Sequence, residues 1–110
     1  GKFRRAVSSQ VRNVLDKPNP TLDKVARKMN MSRRTLQRRL DESGLSFREV
    51  LKHERHEMAL TLLENSDQSI ADISYKLGFA NQSAFSRAFR QTLGLSPRDY
   101  RSQRMKTGGD

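Results

Sequence analysis

The chain has 110 residues, with 22 Lys and Arg against 12 Asp and Glu, a net charge of +10, and no cysteine. That length admits one small domain or two very small ones and excludes a nucleotide-binding enzyme core carrying a separate substrate domain. The charge favours a polyanionic partner (nucleic acid, an acidic membrane surface or an acidic protein), while the absence of cysteine removes disulfides, thiolate metal sites and a cysteine nucleophile.

Apolar spacing reads as helix nearly everywhere, and no stretch alternates with period two, so the fold class is all-α. A first helix is predicted over about residues 4–16, with Phe3, Val7, Val11, Val14 and Leu15 on one stripe and Pro18 and Pro20 ending it. Thr21 then caps a short helix holding Leu22, Val25, Ala26 and Met29, and Ser32 caps a third holding Leu36 and Leu40, with Gly44 as a left-handed stop. Ser46 and Glu49 have capping-box spacing and open a longer helix over about 47–65. That helix is apolar at both ends and polar at its waist, where residues 52–57 read Lys-His-Glu-Arg-His-Glu, as suits a bridge between two packing units. Ser69 caps a fifth helix that Gly78 ends, Asn81 a sixth that Gly94 ends, and Ser96-Pro97 opens a seventh over about 97–105, followed by a frayed tail.

Two features organise this string of helices. The charge is concentrated at the ends: residues 1–45 carry a net +8, residues 46–72 a net −3 and residues 73–110 a net +5. The chain also repeats itself. Leu22, Val25, Met29, Met31, Leu36, Leu40, Gly44, Leu45 and Ser46 find counterparts in Ile70, Ile73, Leu77, Phe79, Phe85, Phe89, Gly94, Leu95 and Ser96. Each copy, about 21–45 and 69–95, is a short helix, a tight turn and a second helix with a polar outer face. Chance likeness between two hairpins of a plain helical bundle is the bland alternative. Two copies on the two basic ends favour paired helix-turn-helix units that bind double-stranded DNA.

The second copy carries Ile73-Ser74-Tyr75-Lys76-Leu77-Gly78-Phe79, then Ser83-Ala84-Phe85-Ser86-Arg87-Ala88-Phe89-Arg90, then Gly94-Leu95-Ser96-Pro97-Arg98-Asp99-Tyr100-Arg101. The first has the looser Leu36-Gln37-Arg38-Arg39-Leu40 and Gly44. Over about residues 5–103 this resembles the DNA-binding domain of the AraC/XylS family of bacterial transcription regulators. The resemblance implies seven helices forming two helix-turn-helix subdomains joined by a linker helix, and a chain that regulates transcription initiation.

In the third helix, Leu36 and Leu40 face inward, leaving Arg33, Arg34, Gln37 and Arg38 outside. Arginine and glutamine are the residue types that form two bonds to guanine and adenine edges. In the sixth, Phe85 and Phe89 face inward, leaving Asn81, Gln82, Ser83, Ser86, Arg87 and Arg90. The family resemblance implies base contacts at Arg34, Gln37 and Arg38, and at Gln82, Ser83, Ser86 and Arg87. Arg33 and Arg90 are expected at phosphates, as are the helix starts at Thr21, Ser32, Ser69 and Asn81. A solvated, arginine-rich surface is the alternative for the third helix. A linker of about nineteen residues spans roughly 28 Å, against about 34 Å for a turn of B-DNA, so two readers could enter successive major grooves of one site.

His53 and His56 beside Glu54 and Glu57 lack the spacing of a zinc-protease helix, and the waist is expected to be a solvated face, not a metal site. No Ser–His–acid constellation or glycine-rich phosphate loop stands in the chain, so neither enzymatic activity nor a cofactor is expected. No apolar run approaches the roughly 18 residues of a membrane span, no signal peptide opens the chain, and a cytoplasmic location is expected. Two other classes of function stand beside specific DNA reading. One is an architectural protein that binds DNA for shape and charge, which has no need of the glutamines on the reader faces. The other is a module whose arginines meet acidic protein partners. The resemblance and a first residue that is Gly1, not Met, lead us to expect the C-terminal domain of a longer effector-responsive regulator. The isolated domain is expected to be monomeric, the full-length protein dimeric, with RNA polymerase as a further partner.

Overall fold

The computed structural model describes residues 1–15 and 21–108. Among them are seven α-helices and no strand: α1 (Lys2–Val14), α2 (Leu22–Lys28), α3 (Arg33–Glu42), α4 (Phe47–Asn65), α5 (Ile70–Lys76), α6 (Gln82–Leu93) and α7 (Pro97–Gly108). The first helix begins and ends about two residues earlier than its apolar stripe suggests. Pro18 and Pro20, expected to end it, lie outside the described residues. The last helix keeps its geometry to Gly108, beyond the end expected near residue 105. The chain divides into two compact units, Gly1–Arg55 and His56–Asp110, with the division falling inside α4.

In the first unit, Val7, Val11, Val14 and Leu15 of the first stripe are buried together with Val25, Ala26, Leu36, Leu40 and Val50. Spacings of three and four residues put each set on one helix face, and burial of that face supplies most of the stability of such short helices. Arg39 lies over the ring of Phe3, 4.5 Å from its centroid, and so ties α3 to α1. Glu54 is 4% exposed despite its charge. Arg12 donates from Nη1 to Glu54 Oε1 at 3.1 Å and to Oε2 at 3.4 Å. The polar waist is therefore not the uniformly solvated face expected of it: Lys52, His53 and Glu57 are exposed, but Glu54 is turned inward onto α1. A carboxylate taken out of water has to be paired. Arg12→Ala strips the pair from Glu54 while half of the arginine's own side chain already faces solvent. A loss of about 1–3 kcal/mol in unfolding free energy is expected, seen as an earlier urea midpoint. Removing both groups with Arg12→Ala and Glu54→Leu should restore most of it; no recovery would show that the ion pair is not what makes position 54 sensitive.

The second unit is built round Ala59, Leu63, Ile73, Leu77, Phe85 and Phe89, with Met58, Leu60, Leu62, Ile70, Phe79 and Tyr100 packed against them. Its aromatic rings meet in series: Phe79 on Phe85 at 5.3 Å, Phe85 on Phe89 at 5.9 Å, and Phe89 on Tyr100 at 5.6 Å. His56 joins this cluster, 5.2 Å from Phe89, a second departure from the solvated waist. Burial first, then the bond its hydroxyl donates to Glu64 Oε2 at 2.9 Å, holds Tyr100 above the usual phenol range. The end of α4 is closed from α7. The Arg101 guanidinium donates to the carbonyl oxygens of Leu62 and Leu63 in the last turn of α4 and of Ser66 and Gln68 just beyond it.

Candidate nucleic-acid interface

The sequence repeat is reproduced bond for bond in the two turns. In the first, Met29 N donates to Val25 O and Met31 N to Ala26 O, both at 3.0 Å; in the second, Leu77 N donates to Ile73 O and Phe79 N to Ser74 O, also at 3.0 Å. Each turn needs one residue in the left-handed region. Gly78 supplies it with φ 83°, as its lack of a Cβ permits, and Asn30 supplies it with φ 58°, asparagine being among the side chains that tolerate it best. The second helix of each pair then starts on a side-chain cap: Ser32 Oγ accepts from Thr35 N at 3.0 Å, and Asn81 Oδ1 from Ala84 N at 2.8 Å. Gly44 and Gly94, both at positive φ, follow these helices. The two pairs, α2–α3 and α5–α6, are thus helix-turn-helix units, each with a second helix that buries one apolar stripe and exposes a polar face.

On α3 the buried stripe is Leu36 and Leu40, and Arg33, Arg34, Gln37 and Arg38 are all exposed, lining with Asp41 and Glu42 one open furrow. The six side chains are not equally available. Gln37 Nε2 donates to Asp41 Oδ1 at 3.0 Å, Arg38 Nη1 to Glu42 Oε1 at 2.8 Å, and Arg33 Nε stands 3.8 Å from Asp23 Oδ1. Arg34 has no partner among the described residues. On α6, Phe85 and Phe89 are 2% exposed and point inward. Gln82, Ser83, Arg87 and Arg90 are exposed and Ser86 is half-buried, and none of them has a side-chain partner among the described residues. Thr21, Ser32, Ser69 and Asn81 are occupied as caps, accepting from the backbone N–H groups of Lys24, Thr35, Asp72 and Ala84. Their helix-start amides, not their side chains, are what remains to meet an anion. The face expected at each reader is therefore assembled on one side of one helix. The acidic residues Asp41, Glu42 and Asp23 tied into the α3 face are an addition from the structure, although the i,i+4 spacing of Gln37 to Asp41 and Arg38 to Glu42 is a signal present in the sequence.

A family described as a helix-turn-helix domain matches residues 25–103. An uncharacterised HTH-type transcriptional regulator of Mycobacterium tuberculosis is 38% identical over 100 residues, 88% of this chain and 29% of that protein. The chain belongs to the AraC/XylS family. It spans under a third of the length of the curated relatives it matches. The AraC/XylS family is one of transcription regulators. Among solved structures, a DNA-binding transcriptional dual regulator from Escherichia coli K-12 has a TM-score of 0.85 at 26% identity, covering 94% of this chain and 93% of that one. The DNA-binding domain of AdpA, a global transcriptional factor solved in complex with a target DNA, has a TM-score of 0.74 at 28% identity, covering 94% of each chain. This AraC/XylS domain has no helix, among its described residues, long and apolar enough to cross a membrane.

Proposed function

We propose that the chain reads double-stranded DNA sequence-specifically through α3 and α6, placed in successive major grooves of one promoter site. It does so as the C-terminal part of a longer, effector-responsive regulator of transcription initiation in the bacterial cytoplasm. The isolated domain acts as a monomer; dimerisation and contact with RNA polymerase belong to the full-length protein. The observation that carries the reading is the repeated turn: the same backbone bonds place two helices with inward apolar stripes and outward donors at equivalent positions of two units. The target DNA bound to AdpA supports the choice of duplex as ligand. Arg34, Gln37 and Arg38 on one helix, and Gln82, Ser83, Ser86 and Arg87 on the other, read base edges. Arg33, Arg90 and the helix starts at Thr21, Ser32, Ser69 and Asn81 grip phosphate.

Base reading and phosphate gripping respond differently to substitution. On a duplex enriched by the protein from a random pool, Arg38→Ala is expected to weaken binding by about 1–3 kcal/mol and relax preference at one base pair. Arg87→Ala should relax a different base pair of the same duplex. Arg33→Ala should weaken enriched and scrambled duplexes alike. Anisotropy titrations against both duplexes and their single-base variants check this, and equal losses on both duplexes from Arg38→Ala would sink the assignment of α3 as a reader.

A further inference from the structure

The carboxylates of Asp41 and Glu42 add little to the stability of the fold. They are the last two residues of α3, where the helix dipole presents its negative end and acidic groups are unfavourable. The Arg38–Glu42 pair runs with the base N-terminal and the acid C-terminal, the weaker orientation of an i,i+4 ion pair, and the exposed Gln37–Asp41 bond adds only a small stabilisation to the helix. The Arg38–Glu42 pair is about three-fifths exposed on both sides, a setting in which such pairs add little to stability. Both acids nonetheless sit in the furrow with the four donors that the proposed function places against DNA.

We infer that Asp41 and Glu42 are specificity-determining residues of the first reader, setting the orientation of Gln37 and Arg38 and penalising binding to DNA that offers no matching bases. The inference rests on the reading of α3 as a base reader. A carboxylate only accepts, so Asp41 can hold only the NH₂ end of the Gln37 amide. That fixes which way round the amide faces: Oε1 and the second Nε2 hydrogen are left for a base, the acceptor–donor pair that adenine N6 and N7 require. An untethered glutamine amide turns freely and also presents two donors to guanine. Glu42 engages one Nη of Arg38 and leaves Nε and the other Nη, so the guanidinium keeps its remaining donors aimed and loses less freedom on meeting guanine. On scrambled DNA neither carboxylate gains anything from this arrangement, and both repel the phosphates that the surrounding arginines attract.

The pair Asp41→Asn and Glu42→Gln tests this with almost no change of shape. Against a scrambled duplex the doubly substituted domain should bind roughly three- to tenfold more tightly, because two negative charges leave the DNA face. Against the enriched duplex the gain should be smaller, so the ratio of the two affinities falls. Asp41→Asn alone should also weaken the preference for adenine over guanine at the base pair that Gln37→Ala relaxes. Thermal melting, expected to be unchanged or slightly raised, separates these effects from a loss of fold. A ratio that is unchanged or rises, while Arg38→Ala still discriminates between the duplexes, overturns this inference alone. If Arg38→Ala and Gln37→Ala weaken both duplexes equally, the base reading itself fails and the inference with it.

Discussion

Raising salt from 50 to 200 mM is expected to weaken DNA binding by roughly 10³–10⁵-fold, if about six to ten phosphates are contacted. The origin is release of counterions from the duplex when lysines and arginines replace them. The net +10 is gathered where it can act, with +8 over residues 1–45 and +5 over residues 73–110. Among the described residues, Arg34 alone of the four arginines on α3 has no partner, while Arg33 and Arg38 stand beside Asp23 and Glu42 and Arg39 lies over Phe3. A plot of log affinity against log salt should therefore be steep for enriched and scrambled duplexes alike, and Arg33→Ala or Arg90→Ala should each lower its slope by about one unit. A nearly flat plot would mean that the basic face is not what holds the duplex.

The second large effect is on the fold of the unit that carries α6. Arg101→Ala removes a guanidinium that donates to four main-chain carbonyls, those of Leu62, Leu63, Ser66 and Gln68. Bonds from a charged donor to partly buried carbonyls are individually worth more than neutral ones, although some of these carbonyls will find water once released. A loss of about 2–4 kcal/mol is expected. Arg101→Lys should recover little of it, because an ammonium on a flexible stem cannot present the planar fork that reaches four oxygens. Urea unfolding followed by circular dichroism checks both variants, and full stability in Arg101→Lys would show that charge at the helix end matters, not the fork.

The contrast between these predictions tracks what a sequence makes legible. Caps at Ser32, Ser69 and Asn81 act within three residues, so local pattern finds them, and the apolar spacing of Phe85 with Phe89 or Leu36 with Leu40 already orients α6 and α3. Pairings between distant residues leave no such trace. Glu54 looks like one charge among many at residues 52–57 until Arg12, 42 positions earlier, is placed over it. Arg101 reads as part of a motif, and its partners lie 33 to 39 positions away. At the candidate interface the residue types and their face follow from periodicity. The tethering of Gln37 and Arg38 depends on rotamers, for which spacing is a necessary condition and not a sufficient one.

The unequal turns have a consequence for how the two units form. Asn30 and Gly78 hold the same left-handed corner, but they reach it from different starting ensembles. An unfolded glycine samples several regions of backbone space and forfeits that range on folding, whereas asparagine is confined from the outset and gives up less. Against this, asparagine is held in a region it occupies only uncommonly, so the first turn trades a smaller entropy loss for some steric strain. Each corner links helices close together in the chain, and contacts of such short range form on microsecond to millisecond timescales in helical proteins. If the corner closes before the helices pack, the first unit has fewer conformations to search through at that step than the second. The same hydrogen-bonded corner is thereby closed at a different entropic cost in each unit.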